Sequence, residues 1–172
     1  MQTATPEYTQ VELPFIEQLQ TLGWDYLEGD TQVPDFTERT SFRQVLLTGR
    51  LREALRCINR DGHEQPWLDE ARINEAVNRL ERLGQPNLIE ANQAATDLLL
   101  KGTQVEGLGG GKHVTVHYLD FEHPERNDFL VINQFRVDPV WAAPGRHYII
   151  PELVFFVNGI PLVVVEAKRP DS

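Results

Sequence analysis

The sequence is nearly without cysteine and has no long hydrophobic run. Its single cysteine, Cys57, cannot form a disulfide within the chain, and its helical surroundings predict a small buried side chain. The longest apolar runs, 153–157 and 162–165, are far shorter than the roughly 20 residues that cross a bilayer. Residues 1–11 are polar and do not resemble a secretory signal peptide. We therefore expect a cytoplasmic protein with no membrane contact.

Positive charge is also scarce. The formal net charge is -10 and the sequence pI is about 4.9, whereas nucleic-acid-binding proteins usually carry a basic face. Phosphate contacts dominate nucleic-acid affinity, so this chain alone should bind nucleic acid weakly and depend on a basic partner domain or subunit. The length of 172 residues and the 41% hydrophobic content predict one globular domain over residues 1–172.

Apolar periodicity predicts helices in the first hundred residues and strands afterwards. The first helix is predicted from Thr9, with Thr9 and Glu12 as a capping box, and the second is predicted with Ser41 as its cap. Two more helices are predicted at about 69–83 and 87–100, and strands at 113–121, 129–137, 149–157 and 160–167. The pattern predicts an α/β (α+β) fold with a helical N-terminal half followed by a sheet.

Two apparent motifs, a phosphate-binding loop and a zinc site, do not match their consensus spacing. The glycines at 109–111 precede Lys112 and His113, so the phosphate-binding consensus is broken and a turn between strands is predicted. The five histidines show no zinc-binding spacing.

Two carboxylates and a lysine meet in the last predicted hairpin. Glu152 precedes one apolar strand, Asn158-Gly159 is a strong hairpin turn, and Glu166 and Lys168 share a face at the end of the next strand. A two-residue loop without a bulge would place Glu152 on the opposite face from Glu166. We predict a three-residue bulged loop that pairs Phe156 with Ile160, or an equivalent bulge elsewhere in the hairpin.

This arrangement suits metal-dependent phosphodiester hydrolysis. Two neighbouring carboxylates repel each other unless a divalent cation lies between them, and hard oxygen ligands favour Mg²⁺. Lys168 could orient or deprotonate the attacking water and neutralise charge on the phosphate. The plain alternative is an edge hairpin whose Glu152, Glu166 and Lys168 are solvated or form weak cross-strand ion pairs.

The motifs FLVINQFRV and IIPELVFFVNGIPLVVVEAKRP, both between Phe129 and Pro170, resemble the nuclease signature of the restriction (motor) subunit of type I restriction-modification enzymes. Weaker likeness is carried by YLDF, PERNDF, NLIEANQ and the N-terminal VELPFIEQLQTLGW. The resemblance covers most of the chain and is strongest in its last third.

The resemblance implies a restriction-endonuclease-like PD-(D/E)xK fold, in which a mixed sheet flanked by helices carries the metal site on its central hairpin. On that pattern Glu152 and Glu166 are the metal-binding acids, Lys168 is the catalytic lysine and the carbonyl of Ala167 is a further Mg²⁺ ligand. Glu12 on the first helix is a candidate accessory acid, with the capping box as its alternative role. The family's usual aspartate is Glu152 here, which shifts the carboxylate by about 1.5 Å, one C–C bond.

The resemblance also implies a site-specific deoxyribonuclease that cuts double-stranded DNA in a prokaryotic cytoplasm, together with modification and specificity subunits. Because the family subunit continues into an ATP-driven translocase, we interpret residues 1–172 as an N-terminal endonuclease domain and a fragment of a longer chain. ATP would bind only to the missing motor. The alternatives are a non-catalytic docking module that keeps the nuclease fold, and a stand-alone PD-(D/E)xK repair nuclease.

Overall fold

The computed structural model describes residues 8–83, 87–141, 143 and 145–166. A π-helical turn, Tyr8–Glu12, precedes the first α-helix. In chain order the elements are α1 (Leu13–Thr21), β1 (Asp25–Glu28), α2 (Thr48–Ile58), α3 (Glu70–Glu81), α4 (Leu88–Lys101), β2 (Thr103–Glu106), β3 (His113–Val116), β4 (Phe129–Asn133), β5 (Leu153–Val157) and β6 (Ile160–Val165). The predicted α+β class is confirmed.

The chain divides into two compact units. The first combines Met1–Leu47 with Phe129–Ser172, and the second is the intervening Thr48–Asp128. The first unit is therefore built from two segments that are distant in sequence, and its sheet depends on pairing between them. None of the described helices is long and apolar enough to cross a membrane.

The sheet of the first unit has the strand order β1-β4-β5-β6. Strand β1 runs parallel to β4, and the other neighbours are antiparallel. The prediction of only helices in the first hundred residues is wrong at β1, because this four-residue strand is too short to show alternation and begins and ends with an acid. Parallel pairing to β4 stabilises it despite its weak local signal.

Apolar side chains cover both faces of this sheet. On one face α1 packs through Ile16 and Leu19 against Val131, Leu153 and Phe155. On the other face the cluster consists of Leu47, Leu130, Ile132, Phe135, Val154 and Phe156. Consecutive residues of β5 alternate between the two clusters, so the strand is buried on both sides. Burial of this kind leaves polar groups of the hairpin only at its ends.

The second unit packs α2 and α3 beside the β2–β3 hairpin. The predicted helix starts near 69 and 87 are confirmed, since Asp69 and Asn87 accept hydrogen bonds from Arg72 and Glu90 N–H. Tyr118 is fully buried and its hydroxyl donates to the Ala76 carbonyl at 2.7 Å. Residues 109–111 form the turn between β2 and β3, as predicted.

Several local predictions are wrong. The second helix begins at Thr48, and Ser41 caps only a local turn through Arg43 N–H. Thr9 lies inside the π-helical turn Tyr8–Glu12, so the helical segment begins before the position predicted for its cap. Cys57 was predicted to be buried but is exposed. The buried face of α2 carries Ala54, Leu55 and Ile58, and Cys57 lies outside that face.

Candidate active site at the end of the β5–β6 hairpin

The β5–β6 hairpin turns through Asn158 and Gly159, whose φ values are 55° and 74°. Both angles are in the left-handed region that a tight two-residue turn requires and that Asn and Gly tolerate best. Val157 therefore pairs with Ile160, and the predicted pairing of Phe156 with Ile160 is wrong. The Asn-Gly turn itself is confirmed.

A bulge in β6 corrects the register. Phe156 pairs with Pro161, whereas Phe155 pairs with Val163, so Leu162 is the extra residue. Proline has no N–H to donate to the ladder, which explains why the irregularity lies beside Pro161. The alternative prediction of a bulge elsewhere in the hairpin is confirmed.

The shifted register sets the positions of Glu152 and Glu166. The ladder ends with Leu153 paired to Val165, and the next residues along the two strands are Glu152 and Glu166. Neighbouring strands lie about 4.8 Å apart, so the two residues flank the same end of the hairpin across one strand spacing. Glu152 is half-buried and Glu166 is exposed.

Backbone hydrogen bonds fix the chain at Glu152. The Gln134 N–H donates to the Glu152 carbonyl at 2.9 Å, and the Phe135 N–H donates to the Pro151 carbonyl at 3.1 Å. Gln134 has a φ of 48°, an uncommon value for a residue other than glycine. These two bonds continue the pairing of β4 with β5 past its last regular pair, Asn133–Leu153.

Two of the predicted site residues, Ala167 and Lys168, lie outside the described residues. Glu12 is buried, with 4% of its surface exposed, in the π-helical turn before α1. Single π-helical turns are frequent at functional sites. Its carboxylate is close enough to the Tyr26 hydroxyl to contribute to a raised tyrosine pKa, after burial, Tyr8 and Glu28.

Sequence reasoning missed Glu28. Strand β1 ends there, in register with Asn133 at the end of β4, and Asn133 is in turn paired with Leu153. Glu28 thus lies at the same end of the sheet as Glu152, two strands away. Only recognition of β1 could have found it, and the four residues of that strand carry no clear signal.

The described carboxylates fit a hard divalent ion in type. Mg²⁺ keeps several waters and usually takes only one or two protein carboxylates, so Glu152 and Glu166 supply a sufficient pair. Within the described ranges, no group of three or more His, Cys, Asp and Glu side chains is arranged to hold a metal ion. A site of the described residues would therefore be solvent-rich and based on these two acids.

Comparison with known proteins gives one family. Residues 5–172 match the model described as the type I restriction enzyme R protein N terminus. The chain is 34% identical over 164 residues to the type I restriction enzyme HindI endonuclease subunit of Haemophilus influenzae, covering 93% of this chain and 15% of that protein. It is 33% identical to a Methanocaldococcus jannaschii protein named as the type I restriction enzyme MjaIXP endonuclease subunit, covering 94% and 15%. The chain thus spans about 15% of the length of these relatives.

Proposed function

Because the chain belongs to the family of type I restriction enzyme R protein N-terminal domains, we propose that it is the nuclease domain of such an enzyme. The reaction is Mg²⁺-dependent hydrolysis of phosphodiester bonds in double-stranded DNA. The observation that carries the proposal is the β6 bulge, which shifts the register so that Glu152 and Glu166 are the residues next to the last pair, Leu153–Val165, and belong to one face of the hairpin. The mixed sheet with α1 on one face supports a PD-(D/E)xK nuclease fold.

In this proposal Glu152 and Glu166 hold the ion, with the Ala167 carbonyl as a further ligand. The bound ion supplies positive charge beside the scissile phosphate and lowers the pKa of a water molecule. Lys168 follows Glu166 by two residues, so on an extended strand it shares the same side. Its ammonium group neutralises charge that builds on the phosphate and orients the attacking water.

Glu12 is proposed as an accessory acid. Its burial just before α1 supports this role, because only 4% of its surface is exposed. A carboxylate enclosed in this way is shielded from bulk solvent, which suits a residue that positions water or metal ligands.

The wider proposal concerns the assembled enzyme. ATP-driven translocation belongs to parts of the protein beyond residues 1–172, and modification and specificity subunits select the DNA site. The protein acts in a prokaryotic cytoplasm. These statements rest on family membership.

The test is DNA cleavage by the assembled enzyme with Mg²⁺ and ATP, comparing the wild type with Glu166→Ala, Lys168→Ala and Glu152→Asp. We expect both alanine variants to hydrolyse ATP normally and to lose cutting, because the motor and nuclease sites are separate. Glu152→Asp should retain cutting, since it keeps the carboxylate and matches the family pattern. Normal cutting by both alanine variants would contradict the catalytic assignment and favour the docking module.

A further inference from the structure

The connection between β4 and β5 rises from the same end of the sheet as Glu152. Its base is closed by two hydrogen bonds between Val137 and Ile149, from N–H to carbonyl at 2.8 and 3.0 Å. We call residues 138–141, 143 and 145–148 the β4–β5 loop. Ile149 is three residues before Glu152, so the base of the loop lies within roughly 10 Å of that residue along the extended chain.

A half-buried arginine holds this loop in place. The Arg136 guanidinium makes two hydrogen bonds to the Asp138 carboxylate, at 2.7 and 3.1 Å, and a third to the Thr31 carbonyl at 2.6 Å. It also stacks on the rings of Phe42 and Tyr148, each with a centroid distance of 4.4 Å. Such a guanidinium, paired and stacked at once, fixes the base of the loop.

Asp138 connects the base of the loop to its tip. Its carboxylate accepts a hydrogen bond from the Gly145 N–H at 3.0 Å. The Arg146 N–H donates to the Ala143 carbonyl at 3.0 Å, and the Trp141 ring lies 5.7 Å from the His147 ring. The described residues of the tip therefore have defined positions relative to the base.

The tip presents a large aromatic surface to solvent. Trp141 is 76% exposed and the neighbouring Val140 is 78% exposed. Arg146 is exposed, and its guanidinium forms no ion pair within the part of the chain that the structure describes. Tryptophan and arginine together are the residues most often found at binding hot spots, so an exposed pair on a supported loop indicates a contact surface.

Charge indicates the kind of partner. Residues 1–128 contain 22 acidic and 12 basic residues and account for the whole net charge of -10. Residues 129–151 contain two arginines and only one acid, Asp138, which is neutralised by Arg136. The β4–β5 loop is thus the segment next to Glu152 that an anionic polymer can approach without repulsion from its own side chains.

We propose that the β4–β5 loop binds duplex DNA and positions it at the hairpin end. Arg146 contacts a phosphate, and Trp141 packs against a sugar or base edge a few base pairs from the bond that is cut. This inference rests on the proposed nuclease function. It also explains how an acidic chain admits a polyanion, because residues 129–151, with two arginines and one acid, do not share the net negative charge of residues 1–128.

The test uses the assembled enzyme with a photoreactive benzoylphenylalanine in place of Trp141, and with the same group in place of Leu88 as a control of equal exposure. After illumination in the presence of DNA, ATP and Mg²⁺, we expect a covalent adduct between position 141 and DNA. Position 88 should give none. Adducts from position 141 only to protein would overturn the proposal and identify a protein-docking surface, and the absence of any adduct would overturn it too.

Cleavage rates provide a second measurement. Trp141→Ala and Arg146→Ala should each slow cutting about 10-fold with unchanged ATP hydrolysis, and Arg146→Lys should keep most activity because one phosphate contact needs only a positive charge. Arg82→Ala, which removes an exposed arginine of the second unit, is the matched control. If Glu166→Ala abolishes cutting while both loop variants cut normally, the loop proposal alone fails. If Glu166→Ala cuts normally, the proposed function itself fails.

Discussion

The two hairpins of the chain differ in where they can carry polar groups. In β5–β6 every residue of the inner strand except Val157 at its end is buried, alternately on two apolar clusters. In β2–β3 buried and exposed residues alternate along β2, and Gln104 and Glu106 lie on its exposed face. A strand buried on both faces leaves room for polar groups only at its end, which is where Glu152 and Glu166 lie.

The largest expected effect is on DNA cleavage, and it differs between a carboxylate of the β5–β6 hairpin and one of the β2–β3 hairpin. Glu166→Ala should reduce DNA cleavage by at least about 100-fold, because it removes half of the proposed ion-binding pair. Glu106→Ala, which removes an exposed carboxylate from β2, should leave cleavage unchanged. The cleavage rates of both variants would be measured in the assembled enzyme. Equal rates would contradict a special role for the carboxylate of the β5–β6 hairpin.

The second prediction concerns stability. Phe156 is fully buried and packs edge-on against Phe135 with a centroid distance of 5.1 Å. Phe156→Ala should lower the free energy of unfolding by about 3 to 5 kcal/mol, whereas Val114→Ala on the half-exposed β3 should cost less than about 1 kcal/mol. Urea unfolding measures both, with Phe156→Leu as an intermediate control. A larger loss for Val114→Ala would show that the core has been assigned to the wrong hairpin.

The third prediction compares two carboxylates held by arginines. Arg136, and then the Gly145 N–H, hold the pKa of Asp138 below its usual range. A lowered folded pKa contributes stability above the unfolded value of about 4, and this contribution is lost as the pH falls through the folded value. Asp138→Asn should therefore destabilise the protein near pH 6, and its stability should converge with the wild type in acid.

The matched control is in the second unit. Glu70 also has a lowered pKa, through Arg56 and then Arg52, but its carboxylate is largely exposed. Glu70→Gln should therefore have a smaller effect across the same pH range, because solvent screens exposed pairs. Urea unfolding at a series of pH values measures both variants. Parallel curves for Asp138→Asn and the wild type would show that the Arg136 pair contributes no pH-dependent stability.

The smallest expected effect is that of Tyr118→Phe. Loss of its hydrogen bond to Ala76 should cost about 1 kcal/mol, whereas Tyr148→Phe, at a half-exposed position of the β4–β5 loop, should cost less. Burial raises the pKa of Tyr118, so its contribution is present below the unfolded value of about 10 and is lost as the pH rises further. Tyr118→Phe should weaken this alkaline dependence, and an unchanged alkaline profile would contradict it.

The sequence predicted the elements whose signals are local and missed those that depend on distant contacts. Helices α3 and α4 were predicted because Asp69 and Asn87 are N-caps that act within three residues. Strand β1 was missed because its pairing partner β4 is about a hundred residues away, and no local pattern reports such a contact. Cys57 was misplaced because helical spacing alone does not determine which face of α2 is buried.

The hairpin was predicted only in part for a similar reason. Asn158-Gly159 specifies a tight turn locally, but the bulge at Leu162 depends on how β6 continues past Pro161. A missing N–H at Pro161 was a usable signal for that irregularity. The roles of Glu152, Glu166, Ala167, Lys168 and Glu12 stay predictions.

A double-mutant cycle on metal affinity tests most directly whether Glu152 and Glu166 share an ion. Mn²⁺ binding to the assembled enzyme would be measured for the wild type, Glu152→Gln, Glu166→Gln and the double variant. If the two carboxylates share one ion, each single change should weaken binding at the hairpin site at least about 10-fold and the double variant should bind little worse than either. Wild-type affinity in both single variants would show that Glu152 and Glu166 do not hold the ion.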